Sequence, residues 1–218
     1  MAAMDSSKST SQRVGRKRAV QRDRILRAAI GEFAARGYER ATMQDIATTL
    51  DMTSAALYYY FKTKDDLLFA ALDSVLVDLV EALVLAVEAA VSTPQTQLRA
   101  LVAAHVTFEL EDPTVGPLVN THLYGPRYLV DMLSPAQQAK LKNHQRDIYN
   151  LYRSVLQQGM AQGVFSVNDL TLVIFDLLAI AQYPVVWFRP GRTLTINEVA
   201  ERQAELSLRL LIEPKNGL

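Results

Sequence analysis

The chain has 218 residues, half of them hydrophobic, enough for one large domain or two small ones around a substantial core. Twenty-three Lys and Arg balance 23 Asp and Glu, and cysteine is absent, which excludes a disulfide framework and a thiolate metal site and fits the reducing cytoplasm. The opening MAAMDSSKSTSQRVGRKRAV lacks the apolar core of a secretory signal, and no later run is apolar enough to span a bilayer without charges, so no membrane partner is expected.

The neutral total hides an asymmetry. Residues 1–64 hold twelve Lys and Arg against six Asp and Glu, so the remainder carries an equal acidic surplus. A basic head on an acidic body points to a head that meets a polyanion; a merely solvated charged terminus is the plain alternative. Residues 1–18, with little apolar content, are expected as a disordered basic arm. Its Arg16, Lys17 and Arg18 either follow a phosphate backbone or minor groove or serve only as a solubilising tail.

A first helix is predicted from about Ala19 to Arg36 by the stripe Ile25, Leu26, Ala29, Ile30 and Phe33, with Gly37 as its positive-φ stop and Tyr38 as a plug for a small core. The stretch TMQDIATTLDMTSAALYYYFKTK, residues 42–64, then reads as helix, tight turn, helix. Thr42 and Asp45 form a capping box, and Ile46, Ala47 and Leu50 form the inner stripe. Asp51 and Met52 make the turn, where Asp tolerates a left-handed backbone, and Thr53 caps the second helix. Leu57 and Phe61 point inward, which leaves Ser54, Ala55, Tyr58 and Tyr59 largely outward. Small residues at a helix start with hydroxylated aromatics behind them suit entry into a major groove. The domain 19–66 is therefore read as a helix-turn-helix head.

The rest, residues 67–218, reads as a helical body. Thr63 caps a long helix with Asp65 and Asp66 in its first turn, and its apolar residues from Leu67 to Val87 cover more than one face. Ser92-Thr93-Pro94 opens a helix to about Glu111, and the segment 112–131 is broken by Pro113, Gly116, Pro117, Gly125 and Pro126. Ser134 to Gln137 combines a capping box with early proline and opens a helix to about Gln162. Asn168 opens another to about Phe188, bent by Pro184, and Thr195 to Glu198 caps the last. The fold class is all-α, a three-helix head on a larger helical bundle, with nine to ten helices in total.

With these elements placed, Gly37-Tyr38, Ala41 to Ala47, Thr53, Leu57-Tyr58, Tyr60-Phe61 and Lys62 to Leu67 closely resemble the TetR family of bacterial transcriptional regulators. The turn departs from that pattern at Asp51, where the family usually has glycine. The resemblance implies a cytoplasmic homodimer that binds a double-stranded DNA operator with its heads and is released by a small-molecule effector held in its bodies. It implies DNA-facing positions at Thr42, Thr53, Ser54, Ala55, Tyr58, Tyr59, Tyr60, Lys62 and Lys64. Of these, Ser54, Ala55 and Tyr59 are candidates for base edges and the others for phosphates, with core packing the competing reading of Tyr60. Dimerisation is expected through the last two helices, whose Ile174, Leu177, Leu178, Ala181, Leu206, Leu210 and Leu211 would otherwise expose a large apolar patch. The ending Val186-Trp187-Phe188-Arg189-Pro190-Gly191 is similar to a branch that often responds to acyl-coenzyme A thioesters, although Arg192 stands where a second glycine is common. That motif alternatively marks the dimer interface alone.

For an effector pocket the residue types that suit a mostly apolar cavity with a few polar anchors are His105, Phe108, Tyr124, Arg127, Tyr128, Tyr149, Tyr152, Arg153, Phe175 and Tyr183. Ordinary core packing competes for most of them, and a body that only dimerises is the alternative function. His105 and Glu109, four apart, make an incomplete metal site, and no nucleophile elbow, phosphate-cradling glycine loop or paired carboxylate set appears. No catalytic residue, metal or cofactor is expected; the predicted function is regulation, not catalysis.

Overall fold

The computed structural model describes residues 3–116, 118–119 and 131–212, with side chains from Gly15 onward. The helices are α1 (Ala3–Arg36), α2 (Met43–Thr49), α3 (Ser54–Tyr60), α4 (Lys64–Ala89), α5 (Pro94–Glu111), α6 (Pro135–Ala161), α7 (Leu170–Gln182), α8 (Pro184–Trp187) and α9 (Ile196–Arg209). No strand occurs among the described residues. The chain separates into two compact units, Met1–Ser74 and Val75–Leu218.

In the first unit, Ile25, Leu26, Ala29, Ile30 and Phe33 of α1 are buried together with Ile46, Ala47, Leu57 and Phe61. Gly37, at φ 76, ends α1 as expected. The start of α1 differs from expectation. Where residues 1–18 were expected as a disordered arm, the helix runs from Ala3. No proline interrupts this stretch, and Arg16 to Arg22 are mostly strong helix formers, so the backbone continues although the side chains of residues 15–20 are exposed.

The unit also extends past the expected boundary at residue 66. Leu67, Leu68, Ala71 and Leu72 of α4 are buried, and α1 to α3 alone would leave the head's apolar residues poorly covered. Thr63 Oγ1 accepts the Asp66 amide at 3.0 Å and caps α4. Tyr38, buried against Phe33, donates its hydroxyl to Asp65. Burial first, and the Asp65 carboxylate second, push the Tyr38 phenol well above its ordinary range.

In the second unit α5 is central, packing against α6, α7, α8 and α9, most extensively along α9. Its stripe Leu98, Leu101, Val102, Val106 and Leu110 is buried, and His105 and Glu109 lie within the same face. Thr93, Ser134 and Thr195 cap α5, α6 and α9 as the sequence indicates, the last two with complete capping boxes. The α6 terminus closes as a Schellman motif: Gly163, at φ 67, donates to Met160 O at 3.0 Å and Val164 donates to Gly159 O at 2.9 Å. The cap of α7 is Asp169, not Asn168, and Tyr183 separates α7 from the short α8 begun by Pro184. The stretch Leu170–Trp187 has the length and hydropathy of a membrane-crossing helix. It carries Asp176 and is interrupted at Tyr183, and one face of it is buried on α5.

Candidate functional site

The helix-turn-helix is held by polar bonds at each junction. Thr42 Oγ1 accepts the Asp45 amide at 3.1 Å and donates to Asp45 Oδ2 at 2.6 Å, while the Thr42 amide donates to the same carboxylate at 3.0 Å. These bonds, the hydroxyl's first, hold the Asp45 carboxyl below its ordinary range, with Arg36 at 3.3 Å adding a smaller pull. The turn places Asp51 at φ 54, so an Asp occupies a left-handed position without glycine. Thr53 then accepts the Ala56 amide at 3.2 Å and starts α3.

On α3, Leu57 and the following Phe61 face inward while Tyr58 and Tyr59 stand outward at 45% and 62% exposure. Thr53, Ala55 and Lys62 are exposed beside them. Tyr60 is half-buried and meets Tyr59 edge to face, with centroids 5.4 Å apart. The Ser54 hydroxyl donates to Gln44 Oε1, which joins α2 to α3 at the start of the exposed face. The guanidinium of Arg18 lies over the Tyr59 ring at 5.4 Å and that of Arg22 over Phe61 at 5.3 Å. Thus the basic end of α1 borders the outward aromatics. Gln44 and Arg18 join this face only in three dimensions; no spacing rule in the chain links residue 18 with 59 or 44 with 54.

Lys64 is turned to a different task from the expected phosphate contact. Its ammonium donates to Tyr38 O at 2.9 Å and Ala41 O at 3.2 Å and lies 4.1 Å from the Tyr38 ring centroid. A lysine four residues beyond Tyr60 looks surface-directed in sequence, but the two loop carbonyls after α1 attract it inward. Thr42 likewise gives its hydroxyl hydrogen to Asp45, so its first role is the cap.

In the body, the described pocket candidates differ in exposure. His105 and Tyr152 are fully buried, with His105 Nδ1 and the Tyr152 hydroxyl 3.0 Å apart. Tyr149 is half-buried against Phe175, and Phe108 is half-buried. Arg153 is exposed, and Phe175 and Tyr183 are 59% and 62% exposed, so these three are surface residues of the subunit. Tyr124, Arg127 and Tyr128 lie outside the described residues.

Of the residues expected at the interface, Leu206 and Leu210 are exposed and the others are not. Ile174, Leu177, Ala181 and Leu211 are buried within the subunit, and Leu178 is half-buried. The outward stripe is instead Leu172, Phe175 and Tyr183 on and after α7, continued by Val186 and Trp187 and joined by Leu206 and Leu210 from the end of α9. With apolar residues on nearly every side of α7, the exposed Asp176 is the one charged cue to which side faces away from its own subunit.

Glu109 is the buried group that residue typing undervalued. Its carboxyl lies 3.9 Å from His105 Nε2, and among the described residues neither carboxyl oxygen nor that nitrogen has a hydrogen-bond partner. Burial pushes Glu109 up to about 8 and His105 down to about 4, which favours the neutral form of each. Among the described residues no group of three His, Cys, Asp or Glu can hold a metal ion.

Residues 25–71 match the family of bacterial regulatory proteins, tetR family, and residues 91–211 match the tetracyclin repressor-like C-terminal domain. The chain is 26% identical over 204 residues to the transcriptional repressor KstR2 of Rhodococcus jostii, covering 90% of this chain and 93% of that one. Among solved structures, the TetR family regulator PfmR from Thermus thermophilus is 31% identical with a TM-score of 0.73, covering 85% of this chain and 97% of that one. AibR, solved in complex with isovaleryl coenzyme A and operator DNA, shares the fold at a TM-score of 0.73 and 24% identity, covering 88% of this chain and 98% of that one. With both halves matched and a capped helix-turn-helix presenting its aromatics outward, this chain belongs to the tetR family of bacterial regulatory proteins and is a DNA-binding transcriptional repressor, not an enzyme.

Proposed function

We propose that the protein is a homodimer that reads its operator with the outer face of α3 and is released by a small, largely apolar effector bound in the body. The observation that carries this reading is the outward pair Tyr58 and Tyr59 on a helix whose Leu57 is fully buried. Core packing gives no reason for two large rings to face water there, whereas a major groove offers them base edges and phosphates. Ala55 and Tyr59 are assigned to bases and thymine methyls; Thr53, Tyr58 and Lys62 to phosphates.

The stripe from Leu172 to Trp187, with Leu206 and Leu210 also exposed, supports the dimer, because a second copy on that face would remove large apolar side chains from water. Trp187 is part of that face, which favours the interface reading of the Val186 to Gly191 motif. An acyl-coenzyme A thioester is the specific effector class supported by the likeness to AibR. The surface placement of Arg153, Phe175 and Tyr183 favours a second reading, a body that only dimerises.

The test is fluorescence anisotropy with duplexes from the DNA upstream of the protein's own coding sequence. Sub-micromolar binding to one duplex, well above that to a scrambled one, is expected. Equal affinity for all duplexes would remove the reading. Titrating isovaleryl coenzyme A into the complex then separates the acyl thioester class from other effectors.

A further inference from the structure

We infer that His105, Glu109 and Tyr152 form the polar anchor of the effector site, and that the anchor takes an uncharged oxygen, a hydroxyl or carbonyl, on the apolar part of the ligand. This rests on the effector-binding reading of the body.

The geometry comes first. His105 and Glu109 sit one turn apart on the buried face of α5, the helix against which α6 to α9 pack. Tyr152 of α6 meets His105 Nδ1 at 3.0 Å, which fixes the imidazole plane and leaves Nε2 directed toward the Glu109 carboxyl. At 3.9 Å, Nε2 and Oε1 are too far apart to bond each other. One oxygen placed to the side of the line between them would be within hydrogen-bond reach of both. Three buried polar atoms without partners among the described residues, Nε2, Oε1 and Oε2, mark that point. Gly116 packs closely on the Glu109 side: a Cβ there would lie 3.1 Å from Glu109 Oε2 and 2.9 Å from its carbonyl oxygen, and would strike Val185, so any larger residue would crowd the carboxyl.

The chemistry selects the ligand. Leu101, Val102 and Val106 of α5 and Ile148, Val155 and Leu156 of α6 bury the helix faces that carry the three groups. Among the described residues no charged side chain is bonded to either member of the pair, so an anionic oxygen there would bring an unpaired charge into the interior. An ammonium would have to ionise Glu109 in the interior. A neutral hydroxyl or carbonyl satisfies the orphan atoms with no charge buried, since the carboxylic acid both donates and accepts and the imidazole does either according to tautomer.

Three probes with one ring system separate these possibilities: 2-naphthol, 2-naphthoate and 2-naphthylmethylammonium, each titrated into the full-length protein with calorimetry or ring fluorescence. The expected result is naphthol binding at least about tenfold tighter than either ion. Glu109→Gln, which keeps a donor and an acceptor, should hold naphthol within about threefold, and Glu109→Leu should lose about tenfold or more. The wild-type ranking stands as a readout even if a variant folds poorly. Naphthoate binding as tightly as naphthol overturns the inference. Naphthol bound equally by wild type and Glu109→Leu overturns the anchor but leaves an effector-binding body standing. No probe bound at all, as a permanently held water would give, overturns the anchor and, with operator binding intact, favours the body that only dimerises.

Discussion

The guanidinium of Arg18 lies 5.4 Å from the centroid of the Tyr59 ring, so a residue of α1 braces the most exposed aromatic of the reading helix. An exposed cation–π contact contributes about 0.5–1 kcal/mol, enough to bias one ring orientation.

Tyr59→Ala should therefore weaken specific operator binding by about 1–3 kcal/mol and leave nonspecific binding nearly unchanged. Arg18→Ala should weaken both, because it removes a brace and a positive charge together. Anisotropy with specific and scrambled duplexes checks the pair; equal losses for Tyr59→Ala in the two would reassign the ring to the phosphate backbone.

Lys62 and Lys64 are two residues apart and should separate by assay. Lys62→Ala should reduce the slope of log affinity against log salt by about 1, as one lost phosphate contact does. Lys64→Ala should leave that slope unchanged and lower stability by roughly 2 kcal/mol, since its ammonium bonds two carbonyls of the head. Urea unfolding and a salt titration of each variant decide it.

The outward stripe yields an association test. Phe175→Glu combined with Leu210→Glu places charges on the exposed apolar face without touching the buried Leu177 or Leu211. Light scattering should show the mass fall from dimer to monomer while circular dichroism stays helical. A dimer that persists would place the interface elsewhere.

Stability should depend on pH through the buried pair. Glu109 ordinarily loses its proton near 4.5, but burial in the fold holds it to about 8. Between those values the folded state binds more protons than the unfolded chain, so the stabilisation from this group, complete below about 4.5, is lost as the pH rises to about 8. His105 has the opposite sense: lowered from 6.5 to about 4, it contributes fully above 6.5 and less as the pH falls toward 4. From pH 6.5 to 8 only Glu109 of the two changes, and wild type should lose about 2 kcal/mol more than Glu109→Gln. Parallel curves for the two proteins would show the carboxyl to be ionised throughout.

Gly159→Ala should cost about 1–3 kcal/mol, because a methyl there would run into the Phe165 ring that seals the Schellman end of α6. Thermal unfolding of the variant measures this directly.

Local chemistry was legible in the chain itself. Thr42, Thr53, Thr93, Ser134 and Thr195 start the helices they were expected to start, because a cap is made between residues three apart. The inward Leu57 and Phe61 and the outward Tyr58 and Tyr59 followed equally from helical spacing. What the fold alone decided were pairings across tens of residues: Lys64 with Tyr38, Arg18 with Tyr59, His105 with Tyr152. It also chose which stripe of α7 turns toward α5, burying Ile174 and Leu177 and exposing Phe175 and Tyr183, a choice that apolar residues on nearly every side of a helix barely encode locally.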